Sequence, residues 1–368
     1  MKIGIDASRA FLKQRTGIEE YSYQVIKHLR KELQNEEVFL YVKNNQVVDF
    51  DLPKKWKVKK IYFPRFWTQL GLSLELLLHP IHILFIPAHV VPMIHPKNTV
   101  VTIHGLEFER APEAYSWWER LYMRVSIRLS CRWAKSIISV SKNTKNDLVS
   151  LYKIPEGKIF IVPEGVEDKQ QTEEEIQNKH YKIPNSKYLL FIGRLEKRKN
   201  IEGIIKAFEI LKEKYEIPHK LMLVGKFGFG KEDINRKIEN SPYQKDIILT
   251  GFVGEGEKQK ILNRADIFLF PTFYEGFGLP VLEAQRLGIP AVVSNTSSIP
   301  EVAGDGAAYC NPDEPLSIAD SIYSVIKDES FRGDIINKGY ENVRRFSWEK
   351  CAAQITDVIG PREPKNSV

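Results

Sequence analysis

The chain has 368 residues, long for one hydrophobic core and sufficient for two domains. Apolar residues make up 43% and charged residues 27%, which excludes a disordered polyelectrolyte or a fibrous repeat and fits an ordinary globular protein. The net charge of +7 is lopsided: residues 1–165 carry 25 Lys+Arg against 16 Asp+Glu and the remainder 29 against 31, so the first half holds all of the excess, either for an anionic partner or as solubilising charge.

The chain opens on MKIGIDASRA, which runs straight into a strand and has no signal-peptide apolar region. GIEEYSYQVIKHLRKEL reads as a helix and VFLYV as a strand. In LGLSLELLLHPIHILFIPAHVVPMI, Glu75, three histidines and three prolines break every membrane-length window, so a buried helix plus a strand is expected there. HILFIPA and TVVTIH read as strands, WWERLYMRVSIRLSCRWA as a helix, SIISVS as a strand, NTKNDLVSLY as a helix and KIFIVPEG as a strand. The polar segment 166–186 is strand-poor and reads as a linker. Beyond it the alternation resumes: KYLLFIGR, NIEGIIKAFEILKEKY, HKLMLVG, DIILTGFV, EKQKILNRA, DIFLFPT, LPVLEAQRLG and PAVVSN. Strands alternating with helices predict an α/β chain of two doubly wound, Rossmann-like parallel sheets. Ligands of such sheets bind beyond the carboxyl ends of the strands, so a cleft between the two halves is the expected site. The three cysteines, Cys131, Cys310 and Cys351, are scattered, which predicts reduced thiols in a cytoplasmic protein and gives no metal spacing.

Candidate site residues follow strands. In FYEGFGLPVLEA, Gly276 and Gly278 allow close backbone approach, Pro280 suits the first helical position, and Glu275 and Glu283 flank the glycines, Glu283 in the first turn of the helix. Carboxylates accept well from vicinal hydroxyls, so this pair suits two polyol ends of one ligand; the alternative is a loop acid plus an acid placed for the helix dipole. In FIGRLEKRKNIEGIIKAF, Arg194 and Lys199 bracket a strand-to-helix loop with Asn200 at the N-cap position. Two cations beside a helix N-terminus suit a diphosphate without metal, or make an ordinary basic loop. His104 follows TVVTI, where a neutral histidine ending a strand is the plain alternative to a functional one. GKFGFGKE comes close to a phosphate-binding loop but has Glu232 where Ser or Thr must bind Mg²⁺, and Asp49-Phe50-Asp51 lies in a polar stretch rather than at a strand end. Arg120, Arg124, Arg128, Arg132 and Lys135 share one helical face bordered by Trp117, Trp118 and Tyr122. That face reads as an anionic membrane contact, through Arg120, Arg124 and Arg128 above all, or as a helix with basic residues in water and aromatics in the core.

Together GRLEKRKN, EGFGLPVLE, SNTSSIPEVAGDGAAY and FSWEKCA resemble the retaining nucleotide-sugar glycosyltransferases of the GT-B fold, family 4, over nearly the whole chain. The resemblance implies an acceptor-side domain at 1–165, a donor domain at 166–346 and a C-terminal helix, about 347–360, that packs back on the first. It implies that Arg194 and Lys199 hold the donor diphosphate, with Gly17 near the phosphates or acceptor. It implies that Glu275 contacts the donor sugar, Glu283 the ribose, and the backbone of Gly276, Phe277, Gly278 and Leu279 the sugar and phosphates. His104 would sit at the reaction centre, although Gly105 stands where similar proteins often carry Asp. The activity implied is hexose transfer from a nucleoside diphosphate sugar, with a lean to GDP-mannose, onto a glycan or lipid-linked glycan. Configuration is retained, and no cofactor, metal or nucleic acid takes part. A non-catalytic sugar-nucleotide-binding subunit and a sugar-nucleotide epimerase are the alternatives.

Overall fold

The computed structural model describes residues 1–166 and 183–360; of the linker expected at 166–186, residues 167–182 lie outside them. The chain divides into two compact units. One comprises 1–106, 117–165 and the segment from 346; the other comprises 107–116 and 166–345. Residues 107–116, expected in the first domain, therefore belong to the second.

The first unit contains strands β1 (Lys2–Asp6), β2 (Glu37–Lys43), β3 (Trp56–Ile61), β4 (Ile83–Ile86), β5 (Asn98–Ile103), β6 (Ser136–Ser139) and β7 (Ile159–Ile161). They form one parallel sheet in the order β3-β2-β1-β4-β5-β6-β7. The central strands are continuous apolar runs because both sheet faces are covered, as in Ile83–Ile86, buried throughout. β3 was not legible as a strand. It is an edge strand whose Lys57, Lys59 and Lys60 keep the open edge charged, and only Trp56 and Ile61 are buried. The C-terminal helix Trp348–Ile359 packs on helix Gly17–Glu32, with Trp348 edge-on to Tyr21 at 5.9 Å.

The stretch from Trp67 departs from expectation. It forms a helix over Trp67–Leu78, a π-type turn followed by α-helix. Trp67, Leu72 and Leu76 point inward, but Leu70, Leu74, Leu77 and Leu78, with Phe66 ahead of them, face outward. Helix Trp117–Trp133 also buries little: Trp117 and Trp118 are 62% and 72% exposed, and Leu121, Tyr122, Val125 and Leu129 are exposed beside them. The aromatics of this helix do not enter the core.

The second unit holds β8 (Tyr188–Ile192), β9 (Lys220–Val224), β10 (Ile247–Gly251), β11 (Ile267–Phe270), β12 (Ala291–Ser294) and β13 (Ala308–Cys310) in the parallel order β10-β9-β8-β11-β12-β13. The order reverses between β8 and β11, so the loops leaving these two neighbouring strands open onto a topological switch point. Those loops carry Arg194 to Asn200 and Thr272 to Gly278.

Candidate active site

The loop after β8 begins at Arg194 and ends at Asn200, whose left-handed backbone (φ 58°) turns the chain into helix Ile201–Tyr215. Asn200 occupies the N-cap position without capping. Its side-chain amide donates instead to the carbonyls of Pro271 (3.0 Å) and Pro312 (2.7 Å), tying this loop to the chain leaving β11. Arg194 is 64% exposed, with Nε 3.7 Å from Glu196. Lys199 and Arg198 turn inward. Lys199 Nζ forms a very short contact with Glu275 Oε1 and lies over the Phe270 ring at 5.0 Å. Arg198 donates through Nη1 to Glu275 Oε1 (3.0 Å) and to the Tyr274 carbonyl (2.8 Å), and through Nη2 to Glu196 Oε1 (2.8 Å).

Glu275 thus meets two cations on one buried oxygen. Burial alone would raise its pKa, but Lys199 and Arg198 outweigh that and hold the carboxyl below its ordinary value. Its loop is fixed from the other side by the SNTSSIPEV stretch. The Glu275 N–H donates to Ser297 Oγ (3.1 Å), and the Ser298 hydroxyl lies on the carbonyls of Glu275 (2.9 Å) and Phe277 (2.7 Å). Gly278 closes the loop with φ 119°, where a Cβ would come within 2.7 Å of Ile299, so only glycine fits. Helix Leu279–Arg286 starts there with Pro280 in its first turn. The Leu279 N–H has no intrahelical acceptor and lies at the positive end of the dipole; Pro280 has no N–H, and the Val281 N–H donates to the Gly278 carbonyl at 2.9 Å. Glu283 is the fifth residue of this helix, not in its first turn as expected, and accepts from Lys258 Nζ at 2.6 Å.

The glycines of GKFGFGKE have a packing reason. The Gly228 N–H donates to the Leu195 carbonyl (2.9 Å), and a Cβ on Gly228 would approach Glu196 Oε2 to 2.7 Å. This loop backs the Arg194–Lys199 loop. A second support comes from residues far away in sequence: the turn Pro112–Ala114 packs against Lys197–Lys199, and Tyr115 and Glu107 lie in the field of Arg198. Sequence reasoning missed Arg198, Glu196 and this 107–116 support. The run of three basic residues 197–199 was visible, but nothing in it tells which of them turns inward.

His104 and Gly17 belong to the first unit. His104 is buried. Its Nε2 faces the Pro87 carbonyl at 2.8 Å and its Nδ1 faces Glu164 Oε1 at 3.3 Å, so both ring nitrogens are engaged with acceptors. Tyr21 and His89 pack edge-on to its ring at 4.5 and 5.3 Å. Burial, then the neighbouring His104, pushes the His89 imidazole down to about 3. Gly17 opens helix Gly17–Glu32 at the surface, and a Cβ there would meet nothing within 4 Å.

Comparison with known proteins bears on the fold and family of the chain. Residues 15–170 match the model described as Glycosyltransferase Family 4, and residues 172–342 the model described as Glycosyl transferases group 1. The chain is 29% identical over 262 residues to the O-antigen chain mannosyltransferase B of Escherichia coli, covering 70% of this chain and 69% of that protein. Among solved structures, sucrose-phosphate synthase from Thermosynechococcus elongatus superposes with a TM-score of 0.72 at 16% identity, covering 97% of this chain and 98% of that one. WaaG, a glycosyltransferase involved in lipopolysaccharide biosynthesis, superposes with a TM-score of 0.72 at 14% identity, covering 98% and 99%. At these identities the structural likeness speaks for the fold.

Proposed function

Because the chain belongs to the GT-B glycosyltransferases, we propose that it moves a hexose from a nucleoside diphosphate sugar to a hydroxyl of a glycan or lipid-linked glycan, with retained configuration and no essential metal ion. The observation that carries this reading is the Lys199–Glu275 pair at the switch point of the second sheet, just ahead of helix Leu279–Arg286 and on the loop that also carries the exposed Arg194. In such a transfer the transition state is oxocarbenium-like, and negative charge grows on the departing diphosphate. Arg194, Lys199 and the N–H of Leu279 at the helix start would take up that charge. Glu275 would orient the sugar, Glu283 would accept from the ribose hydroxyls, and the backbone from Gly276 to Leu279 would line the path between them. Lys199 is bonded to Glu275, so a diphosphate must compete for its ammonium group. Mannose, from GDP-mannose, is favoured by the likeness to a mannosyltransferase.

The engagement of both His104 nitrogens, together with Gly105, keeps a non-catalytic binding subunit as the second reading. One experiment separates the two. GDP-mannose, UDP-glucose and ADP-glucose are compared by thermal shift, then by release of nucleoside diphosphate with and without EDTA. A ligand at 100 times its Kd adds about 2.7 kcal/mol of stability. Stabilisation by one donor with EDTA-resistant turnover is expected. Stabilisation without turnover would leave the binding subunit, and strict metal dependence would remove the cation clamp as the source of charge neutralisation.

The reading includes a cytoplasmic enzyme peripheral to an anionic membrane, held by Arg120, Arg124 and Arg128 on helix Trp117–Trp133. Support comes from the apolar side chains which that helix turns outward, and from the outward row Phe66, Leu70, Leu74 and Leu78 on the earlier helix. The 91–94 segment is bonded to both helices: the Val91 carbonyl accepts from Gln69, the Ile94 N–H donates to Ser73 and the Val91 N–H to Ser130. No helix among the described residues is long and apolar enough to cross a membrane.

A further inference from the structure

Two cations on one carboxylate oxygen are redundant unless one of them has another use. Glu275 Oε1 accepts from both Lys199 and Arg198, yet the two differ in how firmly they are held. The Lys199 ammonium ends a flexible four-carbon stem, with Glu275 as its hydrogen-bond partner. Arg198 is 9% exposed, and its planar guanidinium is anchored three ways, on the Tyr274 carbonyl, on Glu275 and on Glu196. Burial disfavours its charge, but Glu275, Glu107 and Glu196 outweigh that and hold it protonated. Its backbone carbonyl also accepts from the Phe273 N–H at 3.1 Å, so side chain and main chain grip the same turn after β11. Arg198 cannot reach a ligand without releasing that turn, whereas Lys199 can swing away from it.

We infer that Arg198 is a positioning residue: it remains as the counterion of Glu275 and fixes that carboxylate toward the donor sugar when Lys199 leaves for the diphosphate. The inference rests on the proposed roles of Lys199 and Glu275. Without Arg198, donor binding would strip Glu275 of its last cation inside a buried site, and the carboxyl would take up a proton. The charged and titratable groups around it are Lys199, Arg198 and Glu196 on one loop, with Glu107 and Tyr115 on the packed 107–116 segment. Of these, only the two cations favour the ionised form.

The test compares Arg198→Gln, Arg198→Lys, Glu196→Gln, Lys199→Ala and Glu275→Gln in the full-length protein, with GDP-mannose as donor and GDP release as the readout. Arg198→Gln should lower kcat by about 100-fold, leave KM for GDP-mannose within a few-fold, and move the acid limb of the kcat–pH profile to higher pH. Arg198→Lys should restore the position of that limb while kcat stays below wild type, because one ammonium cannot bridge Glu196, Glu275 and the Tyr274 carbonyl together. Glu196→Gln keeps the Arg198 charge, loosens one of its anchors and removes one negative charge from the cluster. It should cost about 10-fold in kcat without moving the limb to higher pH, and it decides the matter if Arg198→Gln does not fold. Free GDP should bind Arg198→Gln nearly as it binds wild type, and Lys199→Ala poorly. Unchanged kcat and pH profile in folded Arg198→Gln, unchanged kcat in Glu196→Gln, or loss of GDP binding equal to that of Lys199→Ala would each overturn the inference. Wild-type kcat in Glu275→Gln would instead overturn the underlying role of Glu275.

Discussion

Glu275 and Glu283 sit eight positions apart in one loop-and-helix segment, yet each has its own counterion, Lys199 with Arg198 for the first and Lys258 for the second. They should fail differently. Glu283→Ala removes hydrogen bonds made equally in the ground and transition states, so KM for donor should rise with kcat nearly kept. Glu275→Ala should lower kcat by about 100-fold, since misplacing a reacting group commonly costs that much. It also releases Lys199, so calorimetry should find free nucleoside diphosphate bound to Glu275→Ala at least as tightly as to wild type, and to Glu283→Ala more weakly. The reverse order would exchange the sugar and ribose ends. Gly17 poses a cleaner question. Neither its backbone nor its surroundings demand glycine. Gly17→Ala should therefore leave Tm unchanged or add roughly 0.4–1 kcal/mol of stability, while activity falls at least about 10-fold if a phosphate or acceptor passes there. Full activity with a raised Tm would remove Gly17 from the site.

At the scale of elements, the entry edge of the second sheet is tied by Asp266, just before β11. Its carboxylate lies 2.8 Å from His219 Nε2 ahead of β9 and accepts from Arg332 of helix Glu329–Val343 at 3.1 Å, with Lys187 ahead of β8 at 3.8 Å. Burial raises its pKa, but the His219 hydrogen bond and Arg332 overcome this and bring it to about 2. The folded value lies below the unfolded one, so the lock stabilises fully above about pH 4 and is lost as the pH falls toward 2. Asp266→Asn should cost about 2 kcal/mol at pH 7, and urea titrations of the two proteins should converge near pH 2. A difference independent of pH would mean that lost packing, not charge, is responsible. β8, β11 and β12 of this second sheet were legible because they are fully buried apolar runs bounded by glycine or proline, as in DIFLFPT. β3 was hidden by the lysines that protect an edge, and the outward leucines of Trp67–Leu78 by an apolar run that imitates a core helix. Arg198 was hidden for a different reason: its partner Glu275 lies 77 positions away, and no local pattern encodes that distance.

For the whole molecule, the uneven charge meets an uneven surface. The unit containing the basic excess also carries the outward-facing side chains of helices Trp67–Leu78 and Trp117–Trp133. Binding to vesicles of phosphatidylglycerol should exceed binding to phosphatidylcholine, weaken with salt, and fall when Arg120, Arg124 and Arg128 are changed to Ala. Exchanging Leu74 and Trp118 for Glu should reduce binding to both vesicle types. Equal partition to neutral and anionic vesicles would remove the electrostatic part of the reading. The placement of residues 107–116 has a separate consequence. The chain passes between its units four times, after Leu106, Ser116, Gly165 and Arg345, so no single cut yields two complete halves. A fragment beginning at Val166 lacks the turn that packs on Lys197–Lys199, and a fragment ending at Gly165 lacks the helix carrying Trp348. Exchanging donor specificity with a relative by one splice near residue 166 would therefore mate a foreign Arg198 loop with this chain's own Glu107 and Tyr115. A working hybrid must carry residues 107–116 along with 166–345, making the unit of exchange two separate stretches of gene.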